Sequence, residues 1–242
     1  MKHPSRILWF VRHGERVDNL NKAWKLTAER WDDPPLSPRG HQQAREVGVA
    51  LAAEPIDYAI CSPFTRCIET VTEIFSVRKV SPPIWIEPGL GESLNVCMTP
   101  PGRPTMEQIK KINPNVDDSY EPVYSVLPPE FGGDAGCIPR VIKTLKTILT
   151  KYPTGNILFV SHGSPTAACH LAINGSWKYV GQCTIGNAFK FYSTISTFTV
   201  TCRIPNNTSF RKSYNRRERH EMRVFWRQKA SFRPDQSTRG SK

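Results

Sequence analysis

Four short apolar runs, each followed at once or within a few residues by groups able to do chemistry, constrain this chain more than any other feature. Residues 7–11 (Ile-Leu-Trp-Phe-Val) form a continuous apolar run. Such a run reads as a strand buried on both faces, the kind that parallel sheets use. A second run at 57–61 is stopped by Ser62-Pro63, a third at 84–86 lies between Pro83 and Pro88, and a fourth covers 156–160. Helical patterns separate them. Ser37 is placed to cap a helix with Pro38 in its first turn, and Ala44, Val47, Gly48 and Leu51 follow at helical spacing. A helix is predicted over 65–75 and another over 165–173, and Val141, Ile142, Leu145, Ile148, Leu149 and Tyr152 make a helical stripe. Residues 189–191 and 197–203 read as closing strands. Alternation of this kind predicts an α/β fold, a three-layer αβα arrangement around a mainly parallel central sheet.

Composition adds boundaries. Hydrophobic residues are 38% of the 242, enough to exclude wholesale disorder. No apolar run approaches the ~20 residues that cross a bilayer. The run at 7–11 meets Arg12 and His13 directly, which does not fit a signal peptide. The seven cysteines, at 61, 67, 97, 137, 169, 183 and 202, include no C-x-x-C pair and read as free thiols of a reducing compartment. A cytoplasmic location is expected, or a nuclear one through the basic C-terminal end.

The net charge of +12 is unevenly spread. Residues 206–242 hold eleven Lys/Arg against three acids, a net +8, and 1–205 hold the remaining +4. The chain therefore divides into a domain over 1–205 and a basic tail over 206–242. The tail reads as solvated and disordered. A basic helix over 211–230 contacting acidic surfaces or nucleic acid is the alternative, and its apolar stripe is short. Within the domain, 93–133 is rich in proline, contains Gly132-Gly133 and shows one helical stretch, at 105–112. It reads as an insertion acting as a lid or binding loop.

Open α/β sheets bind ligands beyond the carboxyl ends of their strands. Arg12-His13-Gly14-Glu15-Arg16 follows the first run, Ser62 to Arg66 the second and Ser161-His162-Gly163 the fourth, while Glu92 lies shortly after the third. One crevice would then hold His13, His162, Arg12, Arg16, Arg66 and Glu92. Arginine forks match phosphate oxygens. A neutral imidazole nitrogen can attack phosphorus, and a nearby carboxyl group can protonate the leaving oxygen. Gly14 leaves room for close backbone approach.

The stretch Phe10-Val11-Arg12-His13-Gly14-Glu15-Arg16-Val17-Asp18 resembles the signature of the histidine phosphatase superfamily, the phosphoglycerate-mutase-like clan. It is most similar to the branch of the suppressor of T-cell receptor signalling and ecdysteroid-phosphate phosphatases. Leu36-Ser37-Pro38-Arg39-Gly40, Glu87-Pro88-Gly89-Leu90 and the residues 58–67, 115–120 and 156–163 also match, so the resemblance covers about 7–204. It implies a phosphatase acting on a phosphotyrosine protein or a small phosphate ester, with His13 as the phosphorylated nucleophile. Glu92 matches the proton donor. Arg12, Arg16, Arg66 and His162 match the phosphate ligands, His162 counting also among the catalytic groups. The family uses no metal or other cofactor, and the acidic clusters of metal phosphatases are missing here. The relatives pair through their closing strands, which implies a homodimer. Two departures stand out. Ser93 follows Glu92 where the relatives carry an aromatic residue, and Gly91 predicts a loosely constrained loop around the acid. The branch's ubiquitin-associated and SH3 modules do not occur in this chain. A phosphomutase of the same clan is the enzyme alternative, disfavoured by Arg16 where mutases carry a small hydroxyl residue. A catalytically inactive phosphate-binding module is the other.

Overall fold

The computed structural model describes residues 5–175 and 177, and the backbone of 185–194, 197–201, 212–213 and 223–224. Strand β1 (Ser5–Arg12) is followed by two single-turn helices, α1 (Val17–Leu20) and α2 (Trp24–Thr27), and by α3 (Pro38–Ala50). Then come β2 (Tyr58–Cys61), α4 (Thr65–Ser76), β3 (Ile84–Ile86), α5 (Met106–Ile112) and β4 (Val116–Asp117). The chain continues through α6 (Ile138–Lys151), β5 (Ile157–Ser161), α7 (Gly163–Asn174), β6 (Ile185–Thr194) and β7 (Thr197–Thr201).

The strands form one sheet in which β4-β3-β2-β5-β1 are parallel neighbours and β6 and β7 continue the sheet antiparallel beyond β1. Successive residues of a strand face opposite sides. Leu8 and Phe10 of β1 therefore join the core under α6 and α7, while Trp9 and Val11 join the core under α3, α4 and α5. This double coverage explains why the runs read as continuously apolar rather than alternating.

The 93–133 segment is more ordered than a plain loop. It carries a 3-10 turn (Leu94–Val96), then α5 with Thr105 as a capping box, and then β4, which pairs with β3 at the sheet edge. Of the 206–242 tail, only Lys212–Ser213 and Arg223–Val224 are described, as a short antiparallel pair reached through β7. The rest of the tail, like Cys183 and Cys202, lies outside the described residues. Cys61, Cys67, Cys137 and Cys169 are buried free thiols, and Cys97 is half-buried. No helix among the described residues is long and apolar enough to cross a membrane.

Candidate active site

His13 sits one residue beyond β1, its amide donating to the carbonyl of Ser161 at the end of β5 (3.0 Å). Its ring Nδ1 lies 2.8 Å from the carbonyl oxygen of Gly14. A carbonyl only accepts, so Nδ1 carries the hydrogen and Nε2 of the neutral ring carries the lone pair. That Nε2 is buried without a hydrogen-bond partner. Burial, and then the charges of Arg66, Arg12 and Arg16, push the His13 pKa well below 6.5, so the ring is neutral at physiological pH. The two residues after His13 are shaped by close backbone approach. A Cβ on Gly14 would lie 2.5 Å from the Gly40 carbonyl oxygen, and the Gly14 amide donates to Thr70 Oγ1 (3.1 Å).

His162 follows β5 and caps α7. Its ring packs edge-on against His13, 5.3 Å between centroids, and against Phe64. Nε2 is 2.7 Å from Ser62 Oγ, and Nδ1 is 3.6 Å from the Glu92 carboxylate. Burial, then Arg66 and His13, lower its pKa well below 6.5. Cys67, directly beneath, has its thiol pushed up by burial, so it stays protonated.

Arg66, in the first turn of α4, is 1% exposed. It donates to the backbone carbonyl of Asp32 (2.9 Å), lies 3.7 Å from the Asp33 carboxylate, and reaches within 3.9 Å of Glu92. Asp33 accepts from the amide and hydroxyl of Thr65 (2.8 and 2.6 Å), and burial raises its pKa to about 6. Arg16 lays its guanidinium fork on Asp18 (2.9 and 3.0 Å), and Lys25 Nζ lies 3.4 Å from the same carboxylate. Arg12 packs over Gly163 at the start of α7.

The six marked side chains therefore gather at adjoining strand ends, around two neutral imidazoles. The N-termini of α4 and α7 open there as well, adding backbone dipoles that favour an anion. His13, Glu92 and His162 also offer three donor atoms within 4.8 Å of one another. Arg66 stands 3.9 Å from the same carboxylate, and its charge favours an oxyanion over a cation at this point.

The expected looseness of the Glu92 loop is not found. Gly91 has an ordinary φ of −58°, and Arg140 of α6 donates to the carbonyls of Gly89 (2.9 Å), Gly91 (3.0 Å) and Glu92 (3.0 Å). Ser93 is fully buried, with its hydroxyl 3.4 Å from the carbonyls of Gly133 and Asp134. Arg140, Ser62 and Asp33 are the groups that pattern reading passed over. The available signal for Arg140 was a charged residue on a buried helical stripe, four positions before Thr144 and eight before Ile148. Trp24 lines a cavity of about 440 Å³ that it shares with Arg30, Asp33 and Thr65. Trp31 is exposed, with Lys25 over its ring. Trp9 is in the core, and Trp85 stacks on Tyr120 (5.2 Å).

Residues 8–188 match the profile described as histidine phosphatase superfamily (branch 1). The human ubiquitin-associated and SH3 domain-containing protein A is 31% identical over 197 residues, 66% of this chain and 30% of that protein. The Drosophila melanogaster ecdysteroid-phosphate phosphatase is 30% identical over 206 residues, 71% of this chain and 27% of that protein. The chain thus spans about a third of the length of the curated relatives it matches. Among solved structures, the ecdysone phosphate phosphatase of Bombyx mori in complex with tungstate superposes with a TM-score of 0.64 at 22% identity, covering 87% of this chain and 97% of that one.

Proposed function

The chain belongs to the histidine phosphatase superfamily (branch 1), and from that premise we propose that it hydrolyses phosphomonoesters through a phosphohistidine on His13. The observation that carries this reading is the Nε2 lone pair of His13, buried, unpartnered and held in one tautomer by the Gly14 carbonyl. The phosphoryl oxygens would lie among Arg12, Arg16, Arg66 and His162, whose charges and donors neutralise the equatorial oxygens. Nε2 attacks phosphorus as the P–O ester bond breaks, and Glu92 gives its proton to the leaving oxygen. Water then attacks the phosphohistidine. The P–N bond breaks, its electron pair returns to Nε2, and Glu92 takes the proton from the water.

Ser62 completes the assignment of His162. If the Ser62 hydroxyl donates to Nε2, the Nδ1–H is left facing the crevice, where a phosphate oxygen can accept from it. No metal has a role in these steps, since the arginine charge supplies what a Lewis acid otherwise would. A phosphotyrosine protein or a small phosphate ester is the proposed substrate class.

The test is a denaturing alkaline quench during turnover of p-nitrophenyl phosphate, conditions in which the acid-labile P–N bond survives. Wild type should yield one labelled histidine peptide, and His13→Ala none, with activity down on the order of 10³-fold or more. Equal phosphate release by both proteins would exclude the mechanism.

A further inference from the structure

Arg140 is a buried charge for which the steps above have no use. It lies in the first turn of α6 and is 1% exposed. Three of its hydrogen bonds go to the carbonyls of Gly89, Gly91 and Glu92, all in one loop. Its Nε donates to Glu130 Oε1, and the other oxygen of Glu130 accepts from the amide of Leu94 (2.8 Å). The side chain of Glu130 is itself 3% exposed. Glu92 is therefore bracketed. Its backbone and the residues before it hang on Arg140, and the residue two positions after it hangs on Glu130.

Burying a guanidinium and a carboxylate costs several kcal/mol in desolvation, and an apolar pair would often be as stable. What this pair supplies that an apolar pair would not is donors for the carbonyls of Gly89, Gly91 and Glu92 and an acceptor for the Leu94 amide. The loop begins in a 3-10 turn (Pro88–Leu90) and ends in another (Leu94–Val96), so no helix or strand carries Glu92. Proton transfer needs the carboxyl group within hydrogen-bond reach of the leaving oxygen, and displacement by ~1 Å is enough to weaken it strongly.

We propose that Arg140 and Glu130 are positioning residues that hold Glu92 at the leaving-group oxygen, making the 93–133 segment part of the proton-donating apparatus. This rests on the reading of Glu92 as the proton donor. A misplaced acid has a signature that general damage lacks. Protonation matters most when the leaving oxygen is a poor one, and hardly at all when it leaves readily as an anion.

The experiment measures kcat/KM for the full chain and for Arg140→Lys, Glu130→Gln and Glu92→Gln, across aryl phosphates from 2,4-dinitrophenyl to phenyl. A thermal melt of each variant accompanies it. Both positioning variants should lose roughly 10- to 100-fold on phenyl phosphate, yet less than about 3-fold on dinitrophenyl phosphate, a smaller copy of the Glu92→Gln pattern. A loss of the same size on every ester, or no loss on phenyl phosphate in folded variants, overturns the proposal. His13→Ala separates the two levels. If it keeps its activity, the phosphohistidine reading has failed. If His13→Ala is inactive and Glu92→Gln shows the leaving-group pattern while the positioning variants do not, this inference alone has failed.

Discussion

At the scale of single residues, chemistry is set by which atom of a side chain is already committed. His13 has its Nδ1–H committed to Gly14, and this alone leaves the lone pair of the neutral ring on Nε2. Strand-end position is visible in sequence, so His13, Arg12, Arg16, Arg66, Glu92 and His162 were legible as a group. Ser62 stood in the same motif as Arg66, but that its hydroxyl lies on a histidine 100 residues away depends on β2 and β5 being neighbours. Asp33 gave no signal at all, because an acid followed by two prolines is ordinary in a loop. Its burial has a measurable consequence. The pKa rises from 3.8 to about 6 on folding, so between these values the folded state holds a proton that the unfolded chain has released. Stability from this group therefore falls as pH climbs through the window and is flat above it, a cost of roughly 2–3 kcal/mol at neutral pH. Asp33→Asn keeps an acceptor for the Thr65 amide and removes the titration. In urea unfolding at pH 4 and pH 7, the wild type should lose that amount relative to the variant as pH rises. Parallel curves would mean that Asp33 titrates normally.

At the scale of elements, hydrophobic spacing placed α3 and α4 well, since each buries one stripe against the sheet. Spacing says nothing about how closely the two helices approach each other. Gly48 of α3 decides that. A Cβ there would lie 2.5 Å from the Ile74 carbonyl oxygen and equally close to a methyl group of Val77. The carbonyl belongs to the backbone of α4 and cannot rotate aside. Gly48→Ala gains helix propensity of about 1 kcal/mol, yet must push α4 away, at a typical overpacking cost of about 1–3 kcal/mol. We expect a net loss, seen as a lower urea midpoint at an unchanged m-value; a midpoint raised by the substitution would show that the helices have room to spare. Strand β4 marks the opposite limit. Two residues, Val116 and Asp117, are too few for any period to show, and only pairing with β3 makes them a strand. This is why 93–133 looked like an insertion outside the sheet.

At the scale of the whole molecule, the site is a consequence of strand order. The parallel order β3-β2-β5-β1 places β5 between β2 and β1, so the segments following those three strands are side by side, and the turn after β3 delivers Glu92 beside them. That convergence gathers Arg12, Arg16 and Arg66 in a half-buried space where the carboxylates of Asp18, Asp33 and Glu92 are the nearby countercharges. The guanidinium groups of this crevice and the N-termini of α4 and α7 offer donors suited to an oxyanion, which should stabilise the fold by binding there. At a phosphate concentration of 100 times its Kd, the gain is about 2.7 kcal/mol, or about 5–10 °C in Tm for a chain of this size. The basic tail complicates the reading, because its net +8 also attracts phosphate. Arg12→Ala separates the two sources, since it leaves the tail intact and removes one side of the crevice. Inorganic phosphate should raise the wild-type Tm saturably and the Arg12→Ala Tm much less. An equal rise in both would assign the effect to the tail and leave the crevice without the anion affinity that its donors predict.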